Sequence, residues 1–357
     1  MTDKQQLLSD FKFYSSYSKF KKEDERMETW EEAIDRVMQM HYKKYQNKIT
    51  PELQEYLDFA TKQYKEKRIL GSQRALQFGG DSILKHEMKQ FNCLVSYCDR
   101  VEFFKEAMYL LLCGCGVGFS VQTLHVEKLP MIGKRIEGVK TFLIEDSIEG
   151  WADAIGVLLA SYSLSDIKFQ DYYGYRIDFD YSNIRPKGSY ISGGFKAPGY
   201  EGLKNSLTKI QELLDKEING NVQIPFKSII AYDVVMHMAD AVLSGGVRRS
   251  ATICLFSATD NDMLNAKTGD WYIKNPQRGR SNNSVILIRN KTSKELFSKI
   301  MESVKSWGEP GFVWSSNEDI IYNPCVEIGM TPYYIDGNED KISGWEGCNL
   351  TEINGSK

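Results

Sequence analysis

The sequence predicts an α/β protein with a helical start. Three patterns carry that prediction. The first stretch repeats apolar residues at helical spacing. From about residue 88, short apolar runs alternate with longer amphipathic ones. Gly-containing turns, rather than low-complexity linkers, separate them. Strands that alternate with helices favour parallel construction, because a parallel pair needs a crossover that a helix supplies.

In chain order, "METWEEAIDRVMQMHYKKYQ" (27–46) opens with Thr29 three residues before Glu32, a capping-box spacing. Its residues Trp30, Ala33, Val37, Met38 and His41 recur at helical period. "PELQEYLDFATKQYKEKRIL" (51–70) begins with Pro51, which suits a first helical turn. "FNCLVSY" (91–97) is an apolar run fit for a buried strand, and "VEFFKEAMYLLLCGC" (101–115) is a helix ended by "GCGVGFSV" (114–121). Further strands are expected at "YRIDFDY" (175–181), "ATICLF" (251–256) and "SVILI" (284–288). Helices are expected at "GLKNSLTKIQELLDKEI" (202–218) and "IIAYDVVMHMADAVL" (229–243). "GEPGFV" (308–313) reads as a turn running into a strand. The expected division is a helical region over 1–87 and an α/β region over 88–357.

Composition narrows the class. The 357 residues are 42% hydrophobic and 26% charged, enough for a sizeable core. A net charge of -3 gives no whole-protein footprint for nucleic acid. No run of 18 apolar residues suggests a membrane span, and "MTDKQQLLSDFKF" has no signal-peptide core, so a cytoplasmic location is expected. Seven cysteines (93, 98, 113, 115, 254, 325, 348) are an odd number in a chain that is neither small nor secreted, which argues against a disulfide framework. The four histidines form no zinc-type pair with them, and "CGC" at 113–115 lacks a second ligand pair, so no metal site is expected. Redox or radical chemistry is the better use for such cysteines.

"NPCVEI" (323–328) spaces an amide, a thiol and a carboxylate at alternate positions: Asn323, Cys325 and Glu327. In an extended segment all three would face one side and one small ligand. Alone, the pattern is equally an apolar buried Cys beside a solvated Glu. Loops combining Gly with Arg stand at "IRPKGSYISGG" (184–194) and "SGGVRRS" (244–250), and "GCGVGFS" (114–120) has three Gly in five residues. Gly lets a chain approach a ligand, and Arg185, Arg248 and Arg249 offer forks for an anion. None of these loops is a P-loop or a dinucleotide fingerprint.

The ordered set of "NC" (92–93), "GCGVGFSV", "DSIEGW", "IRPKGSYISGG", "SGGVRRSA", "SNNSV", "GEPG", "NPCVEI" and "GCNLTEI" resembles ribonucleotide reductases. The closer likeness is to adenosylcobalamin-dependent class II enzymes of the ribonucleoside-triphosphate reductase type, over nearly the whole chain. That resemblance implies radical reduction of ribonucleotides to deoxyribonucleotides for DNA synthesis. It implies Cys325 as the thiyl-radical cysteine acting on the ribose 3′ hydrogen, Glu327 as acceptor of the 3′-OH proton and Asn323 as a partner of the ribose hydroxyls. It implies Cys93 and Cys348 as the two reducing thiols that end as a disulfide; the other cysteines are read as structural. In "SGGVRRS", Gly245, Gly246, Arg248 and Ser250 fall in the loop that couples a deoxynucleotide effector to the substrate base, and Arg185 falls in the other effector loop. Adenosylcobalamin and a thioredoxin-like reductant are implied; a membrane or direct nucleic-acid partner is not.

The implied fold is the first half and finger loop of a ten-stranded α/β barrel. The finger falls around 321–332, and an effector-site insertion falls around 121–183. Because the sequence stops nine residues past Cys348, a complementary C-terminal half chain is expected to be required for activity. Two other readings stay open: another barrel radical enzyme such as a glycyl-radical reductase, and a non-catalytic nucleotide-binding fragment that binds effector without turnover.

Overall fold

The computed structural model describes residues 3–164, 168–189, 196–244 and 251–356. The chain divides into two compact units, one drawn mainly from residues 1–92 with 348–357, the other from 93–191 and 195–347.

The first unit is helical. Helix α1 (Asp3–Ser16) is followed by α2 (Trp30–Tyr45) and α3 (Pro51–Lys65), then by a short strand β1 (Ile69–Leu70). The expected capping box is present: Thr29 Oγ1 accepts from Glu32 N, and Glu32 accepts from Thr29 N at 2.8 Å. Pro51 sits in the first turn of α3, where its missing N–H has no helical partner to lose. Ala33, Ile34, Val37 and Met38 bury one face of α2 against Phe13, Tyr64, Ala75 and Leu76. Trp30 Nε1 donates to the carbonyls of Tyr64 and Lys65, which ties the start of α2 to the end of α3.

The second unit is built on a sheet. Its strands in chain order are β2 (Cys93–Tyr97), β3 (Gly116–Ser120), β4 (Val139–Leu143), β5 (Arg176–Asp180), β6 (Thr252–Ser257), β7 (Ser281–Ile288) and β8 (Gly311–Ser315). Then come β9 (Ile321–Tyr322), β10 (Gly329–Met330), β11 (Tyr333–Ile335), β12 (Lys341–Ser343) and β13 (Glu346–Cys348). The main sheet runs β8–β7–β6–β3–β2–β13, and the first five of these strands pair in parallel. The parallel α/β expectation is met, and the runs at 91–97, 251–256 and 284–288 supply central strands. The run at 175–181 forms β5, which pairs with β4 outside that sheet.

Helices α4 (Glu102–Leu112), α5 (Ile148–Ala160), α6 (Glu201–Ile218) and α7 (Ser228–Ser244) pack among themselves, and α8 (Lys294–Trp307) links β7 to β8. Gly114, at φ +83, ends α4 by entering the left-handed region that a Cβ would resist. Phe103, Phe104, Val117 and Phe119 are fully buried, with Phe103 and Phe119 rings 5.9 Å apart, so one face of β3 meets α4.

The reading of "GCGVGFS" as a ligand-approaching loop is corrected here. Residues 116–120 form β3, fully buried between β2 and β6. Gly is depleted in strands, so propensity disguised it.

Asp233 on α7 takes Arg278 in a bidentate pair at 2.6 and 2.8 Å, with the carboxylate buried and the guanidinium mostly so. Removing one partner of a buried pair strands the other charge, which costs about 3–5 kcal/mol. Asp233→Ala is expected to lower the unfolding free energy by about that much in urea titration. A loss below about 1 kcal/mol, the range of exposed pairs, would mean the pair is solvated in solution.

Candidate active site

Strands β9 and β10 form an antiparallel hairpin, with Ile321 opposite Met330 and Tyr322 opposite Gly329. Its tip is residues 323–328, the "NPCVEI" motif. The extended arrangement expected there is not what forms. Val326 N donates to Asn323 O at 2.8 Å, closing a turn with Pro324 and Cys325 at its centre. Pro presets φ for the first central position of such a turn. Val326 stands at φ +64, which is costly for a β-branched residue.

The turn still brings amide and carboxylate together, by a direct bond rather than by alternation. Asn323 Nδ2 donates to Glu327 Oε1 at 2.7 Å. Asn323 Oδ1 accepts from Ile328 N at 3.2 Å, and Asn323 N donates to Ile328 O at 3.4 Å. Asn323 is fully buried, whereas Cys325 and Glu327 are exposed. One residue therefore holds the turn from below while thiol and carboxylate stand out at its rim.

The hairpin rests on the face of β3 opposite α4. A Cβ at Gly118 would lie 2.6 Å from Tyr322 O and 2.9 Å from Val95 Cγ1. A Cβ at Gly116 would lie 3.1 Å from Cys93 Sγ and 3.2 Å from Pro324 Cγ. The Cys93 sulfur and the Pro324 ring thus flank one glycine, so Cys93 lies by the residue that precedes Cys325 in the turn. The two glycines admit the protein's own hairpin.

The segment entering the hairpin is pinned to the ends of β2 and β3. Tyr97 Oη donates to Asp319 O at 2.5 Å and Gln122 Nε2 to Glu318 O at 2.9 Å. Ser120 Oγ lies 2.8 Å from His125 Nδ1 and accepts from Gln122 Nε2 at 3.1 Å. His125 stacks on Tyr97 with centroids 4.1 Å apart. Burial, then the charge of Lys128, pushes His125 down to about 3. Tyr97, Gln122 and His125 carried no motif, so sequence reading missed them; the signal available was a polar cluster following an apolar strand.

Cys348 is buried, and its carbonyl accepts from Asn92 N at 3.1 Å, the residue before Cys93 in sequence. Cys98 and Cys254 are fully buried, and desolvation drives both thiols well above their usual range, which keeps them protonated and inert. Arg185 is half-exposed and donates from Nε to Asp146 Oδ2 at 2.5 Å. Gly245, Gly246, Arg248, Arg249 and Ser250 lie outside the described residues. Among the described residues, no group of three or more His, Cys, Asp or Glu is placed to hold a metal ion, and no helix is long and apolar enough to cross a membrane.

No family model matches the chain. It is similar to a Dictyostelium discoideum protein described as a probable adenosylcobalamin-dependent ribonucleoside-triphosphate reductase, 32% identical over 54% of this chain and 26% of that protein. It is 28% identical to the enzyme of that name from Lactobacillus delbrueckii subsp. bulgaricus, over 68% of this chain and 36% of the relative. To the Euglena gracilis enzyme it is 25% identical, over 87% and 43%. A crystal structure of a B12-dependent class II ribonucleotide reductase superposes with a TM-score of 0.76, at 21% identity, covering 96% of this chain and 55% of that one. The last is a likeness of fold. The chain thus resembles the family that its motif order implies, while spanning between about a quarter and half the length of these relatives.

Gly118→Ala must move a backbone carbonyl rather than a flexible tip. It is expected to cost about 1–3 kcal/mol and to speed amide exchange across residues 321–330. Gly337→Ala, with nothing within 4 Å of its added carbon, should stay within about 0.5 kcal/mol of the parent. Equal behaviour of the two in denaturant titration and hydrogen exchange would refute the clearance.

Acid should also test the pinned end. Between pH about 6.5 and about 3 the unfolded chain protonates His125 while the folded chain does not, so stability falls as pH falls through that window. Burial lowers His41 and His237 too, adding in the same direction. Urea midpoints at pH 7 and pH 5 should separate, and by less in His125→Gln. An unchanged separation in that variant would place the acid sensitivity elsewhere.

Proposed function

We propose that this chain carries the radical-bearing turn and one reducing wall of an adenosylcobalamin-dependent ribonucleotide reductase. The observation that supports the reading most is the turn itself: a thiol at the rim of a hairpin whose amide and carboxylate are already hydrogen-bonded, and whose Pro324 shares the Gly116 site with the Cys93 sulfur. A ribose presents a C–H and two adjacent hydroxyls. Cys325 would take the 3′ hydrogen, Glu327 the 3′-OH proton, and Asn323 would hold the hydroxyls. The Glu327–Asn323 bond keeps the base where its proton must arrive, since geometry precedes pKa for a general base. Cys93 and Cys348 would deliver two protons and two electrons to the 2′ position, replacing its hydroxyl by hydrogen and leaving water and a disulfide.

Adenosylcobalamin, when bound, supplies the acceptor for the hydrogen atom of the Cys325 thiol. The residues present suit it in one respect: Cys325 is exposed at the tip of a turn whose backbone is fixed, so a large group can reach the sulfur. The described residues offer Arg185 for a nucleotide effector, its charge held by Asp146 until a phosphate competes. Arg248, with Gly245, Gly246 and Ser250, is assigned the effector–substrate link by motif alone.

The main sheet is read as the first half of a ten-stranded barrel, with the hairpin as its finger loop at 321–332, residues 1–87 as a helical region and 121–183 as an effector-site insertion. A complementary polypeptide and a thioredoxin-like reductant would complete the enzyme. Class II reduction is favoured over the glycyl-radical alternative because the relatives' names specify adenosylcobalamin.

The test combines the chain with a class II C-terminal half, adenosylcobalamin, a ribonucleoside triphosphate and a dithiol. Deoxyribonucleotide should form, and Cys325→Ala should abolish it while leaving effector binding intact. Without external dithiol, a single turnover should leave Cys93 and Cys348 bridged on peptide mapping. Product from the Ala variant would sink the radical assignment, and effector binding without any turnover by the parent would favour the non-catalytic reading.

A further inference from the structure

The residues after Cys348 add a strand to the helical unit. Strand β14 (Glu352–Ile353) pairs antiparallel with β1, Glu352 opposite Leu70 and Ile353 opposite Ile69. Asn354 closes the ladder twice: its N–H donates to Arg68 O at 2.8 Å and its Nδ2 to Lys67 O at 2.9 Å. Both carbonyls belong to a tight bend, where Lys67 stands at φ +57. Gln73 Nε2 adds a longer contact to Glu352 Oε1 at 3.3 Å. At the other end, Asn92 N holds Cys348 O.

Apolar burial does not hold this segment. Cys348 is 5% exposed, yet residues 349–353 are all exposed, with Leu350 at 43% and Ile353 at 86%. A two-residue ladder is marginal by itself. The segment is therefore kept in place by a few polar ties, of which the Asn354 amide, at 2.9 Å, is a shorter side-chain bond than the Gln73–Glu352 contact at 3.3 Å. Each such bond is a large share of so small a total.

We propose that Asn354 is a positioning residue for Cys348. By locking the strand to residues 67–70 it keeps the thiol covered and sets how readily an outside thiol, disulfide or electrophile reaches it. Residues 67–70 then govern the access of a cysteine far from them in sequence. The bearing of this on turnover rests on Cys348 being a reducing thiol, but the strap does not, and it can be read without turnover.

The experiment is site-resolved alkylation of the chain by iodoacetamide, in which the Cys348 thiolate displaces iodide, with each cysteine quantified by peptide mapping. Asn354→Asp keeps the side chain's size and its acceptor for Ser356 while losing the Nδ2 donor. It is expected to raise the Cys348 rate about three- to tenfold, the range a single lost hydrogen bond allows. Cys98 and Cys254 should stay at the parent rate, and the thermal midpoint should not move. Asn354→Ala is the second variant, expected to match or exceed it. Cys348 labelled at the parent rate in both variants would overturn the proposal. Acceleration of Cys98 and Cys254 alongside Cys348 would overturn it as well, by assigning Asn354 to global stability.

Discussion

A backbone can lie flat on a sheet only where the sheet has no side chains. Gly116 and Gly118 give β3 that bare track on one face, while Val117 and Phe119 carry the core on the other. The hairpin at 321–330 occupies the track, with Tyr322 O where a Gly118 Cβ would be. The position of the Cys325 turn, the placing of its Pro324 ring by the glycine that also meets Cys93, and the burial of Asn323 all follow from that approach. Strand propensity is given up at two positions of a central strand, a cost of the order of 0.5–1 kcal/mol each. The neighbouring strands β2 and β6, buried and rich in branched residues, offset it.

Local strain and local order coincide at the tip. Val326 is held in a left-handed conformation while Asn323 makes four hydrogen bonds within six residues. A buried amide with its valences used defines the turn more sharply than apolar packing does, because leaving any of them unmet is expensive. This gives the proposed chemistry a fixed platform: the carboxylate is oriented before a ligand arrives, and the thiol is exposed without being loose. The pinned entry at Asp319 and Glu318 sets the hairpin's base from the same strands that set its height.

The helical unit plays more than a packing role. Its short strand β1 receives the segment that follows Cys348, so a cysteine late in the sequence is fixed by residues near the start. The tie is polar and small, made by a two-residue ladder and the Asn354 amide.

Much of this was legible from the sequence. Helical period, the Thr29 capping box and Pro51 predicted α2 and α3, because those signals act over a few residues. Apolar runs predicted β2, β6 and β7, and their alternation with helices predicted parallel pairing. Motif order pointed to Asn323, Cys325, Glu327 and Cys93 together. The rest needed tertiary structure. "GCGVGFS" read as a loop since Gly resists strands, and only the hairpin lying on it explains why a central strand should want none of its Cβ atoms. The tip read as extended since alternation was the visible pattern; a turn closed by Asn323 reaches the same grouping by hydrogen bonds that spacing does not encode. Tyr97, Gln122 and His125, and the Asn354 strap, join residues up to 287 positions apart. Such contacts are set by where the chain returns, which composition and local period do not record.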